Sequence, residues 1–194
     1  MKLKLSWAQR RFLGLTGEVE DSDLDEQFPL DLRLSRSALD SLLAHLEVTG
    51  THRSGPLYGY HREVVDVAYA LTGIPPMAVL GNPLALDPAY TLGGSEALRL
   101  TDPALDWVGH WVCAPGGLLP DTDASVALIE QAVTLKLIGT RSPLVIVGWD
   151  GVDFVVRPYL FNLGDILPMR ASWIGGDGEL VMSDRRSSGP DGGL

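Results

Sequence analysis

Residues 107–123, with the sequence WVGHWVCAPGGLLPDTD, constrain the fold of this chain more than any other stretch. The apolar run at the start of this stretch has the composition of a buried β-strand. The Pro115-Gly116-Gly117 group predicts that this strand stops and a loop begins. The Pro-Asp-Thr-Asp group that follows predicts a helix capped by Asp121 or Asp123. A strand that leads through a loop to a helix N-terminus brings side chains close to unpaired backbone N–H groups, so we expect a functional site here.

The segments on either side predict several strands and two main helices. The spacing or density of apolar residues predicts strands at 30–34, 55–60, 63–71, 144–149 and 152–161, and helices at 35–47 and 123–138. Residues 72–106 are rich in Pro, Gly, Asn and Asp and predict a long connection with only a short helix near 95–98. This order predicts an α/β (α+β) fold, in which a curved mixed sheet has one main helix on each side.

The second main helix carries its own detailed expectations. Its core-facing residues are predicted to be Val126, Ile129, Val133 and Leu137, and Gly139 is predicted to follow its C-terminal end.

Composition and charge narrow the function classes. The chain has 194 residues, of which 45% are hydrophobic, and its formal net charge is −10. An acidic chain lacks the basic surface that neutralises phosphates, so we expect neither a nucleic-acid partner nor a membrane partner. One cysteine excludes an internal disulfide, no apolar run has the length of a membrane span, and residues 9–11 (QRR) interrupt any signal-like segment. These features predict a cytoplasmic location.

The two ends of the chain predict segments outside the central domain. Residues 1–17 mix apolar and basic residues, which predicts a strand or helix packed on the domain, or a separate docking segment. Residues 18–27 are strongly acidic and predict a solvated linker. We therefore expect an N-terminal extension at 1–27, one domain at 28–182 and a disordered tail at 183–194.

The motif Gly109-x-x-Val112-x-Ala114-Pro115 resembles the zinc segment of the JAB/MPN (JAMM, Mov34/PAD-1-like) metalloproteases, which is Gly-x-x-His-x-His-Pro followed by a loop and Ser-x-x-Asp. Val112 and Ala114 stand at the two histidine positions, and neither side chain can bind a metal. Counted without gaps, Thr122 and Ser125 fall at the Ser and Asp positions. The resemblance therefore implies the fold of this family without its usual zinc site.

A second part of the chain resembles the same family. Gly55, Leu57 and Gly59 match the frame Glu-x-x-Gly-x-Leu-x-Gly, and His52 falls on the glutamate that is the general base of the active enzymes. The resemblance covers residues 29–162, weakly in identity but consistently in the order of elements. It implies a JAB/MPN-like sheet in a cytidine-deaminase-like architecture.

A rebuilt metal site is the alternative interpretation of these positions. His52, His110, Cys113 and Asp123 are all residue types that bind zinc. Strand alternation puts His110 on the same face as Val112 and Ala114 but puts Cys113 on the opposite face, where we expect a small buried apolar residue. The four histidines of the chain lack the short spacings of known zinc motifs.

The sequence as a whole predicts a non-catalytic JAB/MPN-like binding or scaffold domain with no cofactor and no catalytic residue. The resemblance implies a protein partner, either another MPN-type subunit or a ubiquitin-like protein or peptide, in a homodimer or heterodimer. Residues 1–17 and 72–106 are the segments expected to contact it. The alternative is a metal-dependent isopeptidase or peptidase with zinc bound by His52, His110 and Asp123. An unrelated α/β protein with a chance motif match is a third interpretation.

Overall fold

The computed structural model describes residues 5–15, 29–47, 53–75 and 82–174, and within these ranges it contains four helices and eight strands. In chain order they are α1 (Trp7–Phe12), β1 (Asp31–Leu34), α2 (Arg36–Leu46), β2 (Arg53–His61), β3 (Val65–Ala70), α3 (Pro88–Thr101), β4 (Asp106–Leu118), α4 (Thr122–Thr134), β5 (Leu144–Trp149), β6 (Phe154–Asn162), β7 (Asp165–Pro168) and β8 (Arg170–Trp173). Among the helices of the described ranges, none is long and apolar enough to cross a membrane.

All eight strands form one mixed sheet in the order β7-β6-β5-β4-β2-β3-β1-β8. The two edge strands are consecutive in the chain and are separated only by Met169. β7 pairs with β6, β8 pairs with β1, and the Met169 N–H donates to the Pro158 carbonyl at 2.9 Å. Because one short segment joins both edges, the sheet curls until it is nearly closed.

The two faces of the sheet carry separate apolar clusters. The inner cluster contains Trp111, Cys113, Val145 and Val147 together with residues of α2. The outer cluster contains Val112, Leu144 and Ile146 together with residues of α4. Successive residues of β4 and β5 therefore point to opposite clusters, as strand geometry requires. The predicted α/β class, with a curved mixed sheet and main helices on both faces, is confirmed.

The N-terminal helix α1 packs on the outer face. Its N-cap, Ser6, and Gln9 form a capping box, and the Trp7 ring lies over the Trp107 ring with a centroid separation of 3.7 Å. The predicted acidic linker at 18–27 and the predicted tail at 183–194 lie outside the described residues, and the domain boundary near residue 28 stays a prediction.

The connection between β3 and β4 contains a much longer helix than the sequence predicted. Instead of a short helix near 95–98, α3 spans Pro88–Thr101. It begins at Asp87, whose carboxylate accepts a hydrogen bond from the Tyr90 N–H at 2.9 Å, with Pro88 at the first helical position. An N-cap aspartate followed by proline is a strong helix start.

β4 was predicted to stop at Pro115, but the strand continues to Leu118. Gly116 and Gly117 have positive φ values of 77° and 70°, and the pairing with β5 shifts between Cys113 and Leu118. The Pro-Gly-Gly group is therefore accommodated as an irregularity within the strand.

The predicted core face of α4 is correct in part, because Ile129 and Leu137 are buried as predicted and Val133 is partly buried against the outer cluster. The buried residues are Ser125, Leu128, Ile129 and Ala132, whereas Val126 is 37% exposed. The helix ends at Thr134, and Lys136 adopts a left-handed conformation with φ of 54°, so Leu137 and Gly139 lie beyond the helix. Two of the buried positions, Ser125 and Ala132, hold small residues.

Candidate functional site

The C-terminal end of β4 and the first turns of α4 form the candidate site. Val112 pairs with Ser54 of β2 and Ile146 of β5, so it lies in the middle of the sheet, and its side chain is fully buried under α4. Ala114, two residues further along, lies where the strand emerges from the core. The two positions that hold histidines in the resembled family are therefore adjacent on one face, but they present only a methyl group and a buried isopropyl group.

Ala114 lines an open pocket of about 370 Å³. The pocket lies between the end of β4, helix α4 and the segment between β3 and α3, and it is lined by Pro83, Ala114, Pro120, Ala124, Ala127, Leu128 and Gln131. Only Gln131 contributes a polar side chain. We call this cavity the Ala114 pocket.

The first turn of α4 satisfies its own polar groups. The Asp121 carboxylate accepts a hydrogen bond from the Ala124 N–H at 2.8 Å, as an N-cap does. The buried Ser125 hydroxyl donates to the Pro120 carbonyl at 3.4 Å. Thr122 and Asp123 are exposed. Ser125 stands at the position of the metal-binding aspartate in the resembled family, and its hydroxyl is already hydrogen-bonded at the start of the helix.

The remaining metal-competent residues do not assemble in the described part of the chain. No three His, Cys, Asp or Glu side chains within it are close enough to hold a metal ion together. Cys113 is buried in the inner cluster, on the opposite face from the Ala114 pocket, and burial raises the pKa of its thiol. This placement agrees with the strand alternation. His52 lies outside the described residues.

His110 is buried in the outer layer, one pleat before Val112. Its side chain is fully buried, its ring is stacked near Trp107 with a centroid separation of 6.1 Å, and neither ring nitrogen has a hydrogen-bond partner among the described residues. Burial, with a smaller contribution from the positive charge of Arg11, lowers the pKa of His110 to about 3. The imidazole is therefore neutral at physiological pH.

We expect His110 to make the protein less stable as the pH falls from 7 towards 3. Below about pH 6.5 the unfolded chain binds a proton at this histidine that the folded protein, with a pKa of about 3, does not. At pH 5 this difference lowers the free energy of unfolding by about 2 kcal/mol. Urea denaturation of the wild type and of His110→Leu at pH 7 and pH 5 measures this loss in the free energy of unfolding. Between pH 7 and pH 5 the variant should lose less stability than the wild type. Equal losses would contradict a buried neutral histidine, because the other histidines are present in both proteins.

Sequence reasoning found Val112 and Ala114 but missed the pocket. Pro83, Ala124 and Ala127 carry no chemical motif, and no pattern connects them with β4. The apolar pocket arises only from the distance at which α4 crosses the end of β4.

Comparisons with known proteins support the fold alone. The sequence matches no protein-family model, and a search of curated proteins finds no match. Among solved structures, the chain is similar to the solution structure of protein DSY2949 from Desulfitobacterium hafniense, with a TM-score of 0.56 and 13% identity over 74% of this chain and 92% of that chain. The chain therefore shares its mixed α+β architecture with a solved protein, at an identity too low to carry over an activity.

Proposed function

We propose that this protein is a non-catalytic, JAB/MPN-like binding domain that holds an extended segment of a partner protein in the Ala114 pocket. The observation that carries the proposal is the apolar lining of this pocket around Ala114, which stands at one of the two histidine positions of the resembled family. An open apolar cavity with a single amide in its lining suits an apolar side chain better than a metal ion or a charged group.

The charge around the pocket suggests the chemistry of the partner segment. Asp121 and Asp123 are exposed at the start of α4, next to the lining residues Pro120 and Ala124, and the whole chain has a formal net charge of −10. An apolar residue flanked by Lys or Arg would therefore be favoured over one flanked by Asp or Glu. In the resembled family, inactive members position ubiquitin-like substrates or pair with active subunits, and an extended protein segment is compatible with either role.

Selection of peptides from a random linear library displayed on phage tests the proposal. We expect the wild-type protein to enrich peptides that contain an apolar residue next to Lys or Arg. The affinity of an enriched peptide, measured by fluorescence anisotropy, should fall at least about tenfold in Ala127→Trp, a loss of about 1.4 kcal/mol, because the indole fills the pocket.

Val126→Trp is the matched control for this experiment. Val126 precedes Ala127 on α4, is partly exposed, and lies outside the pocket lining. The same large side chain at this position should leave peptide affinity nearly unchanged, and circular dichroism should show that both variants fold. Failure of the wild type to enrich any peptide, or equal binding by Ala127→Trp, would overturn the proposal.

Native mass spectrometry with added zinc separates the proposal from the metal-dependent alternative. We expect no tightly bound zinc, because Val112 and Ala114 cannot be ligands. One zinc per chain that survives dialysis, and that is lost in His110→Ala or Asp123→Ala, would instead favour a peptidase with a rebuilt site.

A further inference from the structure

A second cavity lies between the outer face of the sheet and α3. Its volume is about 160 Å³, and its walls include Tyr58 of β2, Leu71 and Thr72 after β3, and Tyr90, Thr91 and Gly94 of α3. It shares no lining residue with the Ala114 pocket. We call it the Tyr58 pocket.

Two buried hydroxyl groups belong to residues of this pocket. Thr91 is 5% exposed, and its Oγ1 has no hydrogen-bond partner in the described part of the chain. The Tyr58 side chain is also buried, and its hydroxyl donates to the Thr91 carbonyl at 3.4 Å, which is long for an O–H···O bond. A buried hydroxyl without a partner is costly, so a group that supplies one would bind here with a gain in free energy.

The charge of the pocket excludes most ions. Its lining contains no Asp, Glu, Lys, Arg or His, and burial raises the pKa of Tyr58, so its hydroxyl stays neutral. An ion that entered would lose hydration and meet no counter-ion. The Thr72 and Tyr90 hydroxyls, 3.2 Å apart, hydrogen-bond to each other, and the rest of the wall is aromatic and aliphatic, which suits an apolar ring.

One glycine of the Gly93-Gly94 pair in α3, Gly94, helps to keep this space open. A Cβ atom on Gly94 would meet the Leu71 Cδ1 atom at 3.2 Å, at the wall of the pocket, whereas a Cβ atom on Gly93 would meet nothing within 4 Å. Glycine within a helix is destabilising relative to alanine. The glycine at position 94, unlike the one at 93, leaves space in the pocket for a ligand.

We infer that the Tyr58 pocket binds a small neutral molecule that combines an apolar ring with a hydroxyl or carbonyl group, which pairs with Thr91 Oγ1 and the Tyr58 hydroxyl. The size agrees, because a dry engineered cavity of roughly 150 Å³ accepts benzene. This site is separate from the proposed protein-binding pocket, so each can fail without the other.

Titration of the protein with phenol, toluene and benzoate, followed by ¹H–¹⁵N NMR, tests the inference. The three probes have the same ring and differ in the polar group. We expect phenol to shift the amide signals of Tyr58, Leu71, Thr91 and Gly94, and to bind about three- to tenfold more tightly than toluene, the range expected for one hydrogen bond. Benzoate should cause no shifts at these residues. In Thr91→Val, which keeps the shape but lacks the hydroxyl, phenol should lose its advantage over toluene.

Gly94→Leu and Gly93→Leu form a matched pair of filling variants. Both place the same side chain on α3, but only position 94 lines the pocket. We expect phenol binding to be lost in Gly94→Leu and retained in Gly93→Leu. Equal affinities for phenol and toluene in the wild type, shifts located elsewhere, or a crystal structure grown with phenol that shows only ordered water in the pocket would each overturn the inference. If Gly94→Leu does not fold, the comparison of Thr91→Val with the wild type still decides it.

Discussion

Replacement of Trp111 with alanine is expected to lower the free energy of unfolding by about 3–5 kcal/mol, the range for a large buried aromatic residue. Trp111 is fully buried in the inner cluster, and its indole N–H donates to the Leu71 carbonyl at 2.8 Å. Its ring also stacks on His45 of α2, with a centroid separation of 4.9 Å. The change would remove these contacts together and leave the Leu71 carbonyl without its donor.

Urea denaturation, followed by circular dichroism, measures this loss, and Trp149→Ala is its control. Trp149 is 38% exposed and packs edge-on against Phe154 with a centroid separation of 5.9 Å. Because it is already partly in water, its replacement should cost much less. Similar losses for the two variants would show that Trp111 does not occupy the packed interior.

Gly55→Ala is expected to destabilise the protein by about 3 kcal/mol, at the upper end of the range for overpacking. Gly55 lies directly opposite Trp111 in the β2–β4 pairing. A Cβ atom here would overlap the Leu71 carbonyl oxygen, and it would approach the Gly73 nitrogen to 2.6 Å and the Thr72 carbonyl carbon to 2.7 Å. All of these are backbone atoms, so no side-chain rotation can relieve the overlap.

The same denaturation experiment on Gly139→Ala separates the overlap from a general effect of replacing glycine. A Cβ atom on Gly139 would meet nothing within 4 Å, and this residue has no positive φ. We expect its replacement to change stability by less than about 1 kcal/mol. A Gly55→Ala variant as stable as the wild type would mean that residues 71–73, which follow β3, do not approach Gly55 so closely.

Strongly periodic segments were predictable, because their own side chains supply the signal. The helix at 35–47 was predicted from leucines at i, i+3, i+4 and i+7, and α2 buries Leu39, Leu42 and Leu46 with Ser35 as its N-cap. By contrast, α3 turns Thr91 and Ser95 towards the core and carries two glycines in its middle, so its hydrophobic pattern is weak. Only the Asp87-Pro88 start marks this helix in the sequence.

For the candidate site, the sequence predicted only which face of β4 each residue occupies. Alternation placed His110 and Val112 on one face and Cys113 on the other, and all three lie there. The Ala114 pocket was not predictable, because its shape depends on where α4 crosses the sheet. The JAB/MPN assignment, the partner and the cytoplasmic location stay predictions, since no sequence relative tests them.

The closure of the sheet by β7 and β8 also affects how the chain reaches its native state. One of the two neighbours of β1 is β8, which lies far along the chain: Asp31 pairs with Arg170, 139 residues later. A ribosome-bound chain that has not yet released residues 165–173 therefore presents β1 and β6 with one unpaired edge each, and unpaired edges bind other strands readily. The last nine residues of the sheet thus protect both edges at once, after all the other strands have been synthesised.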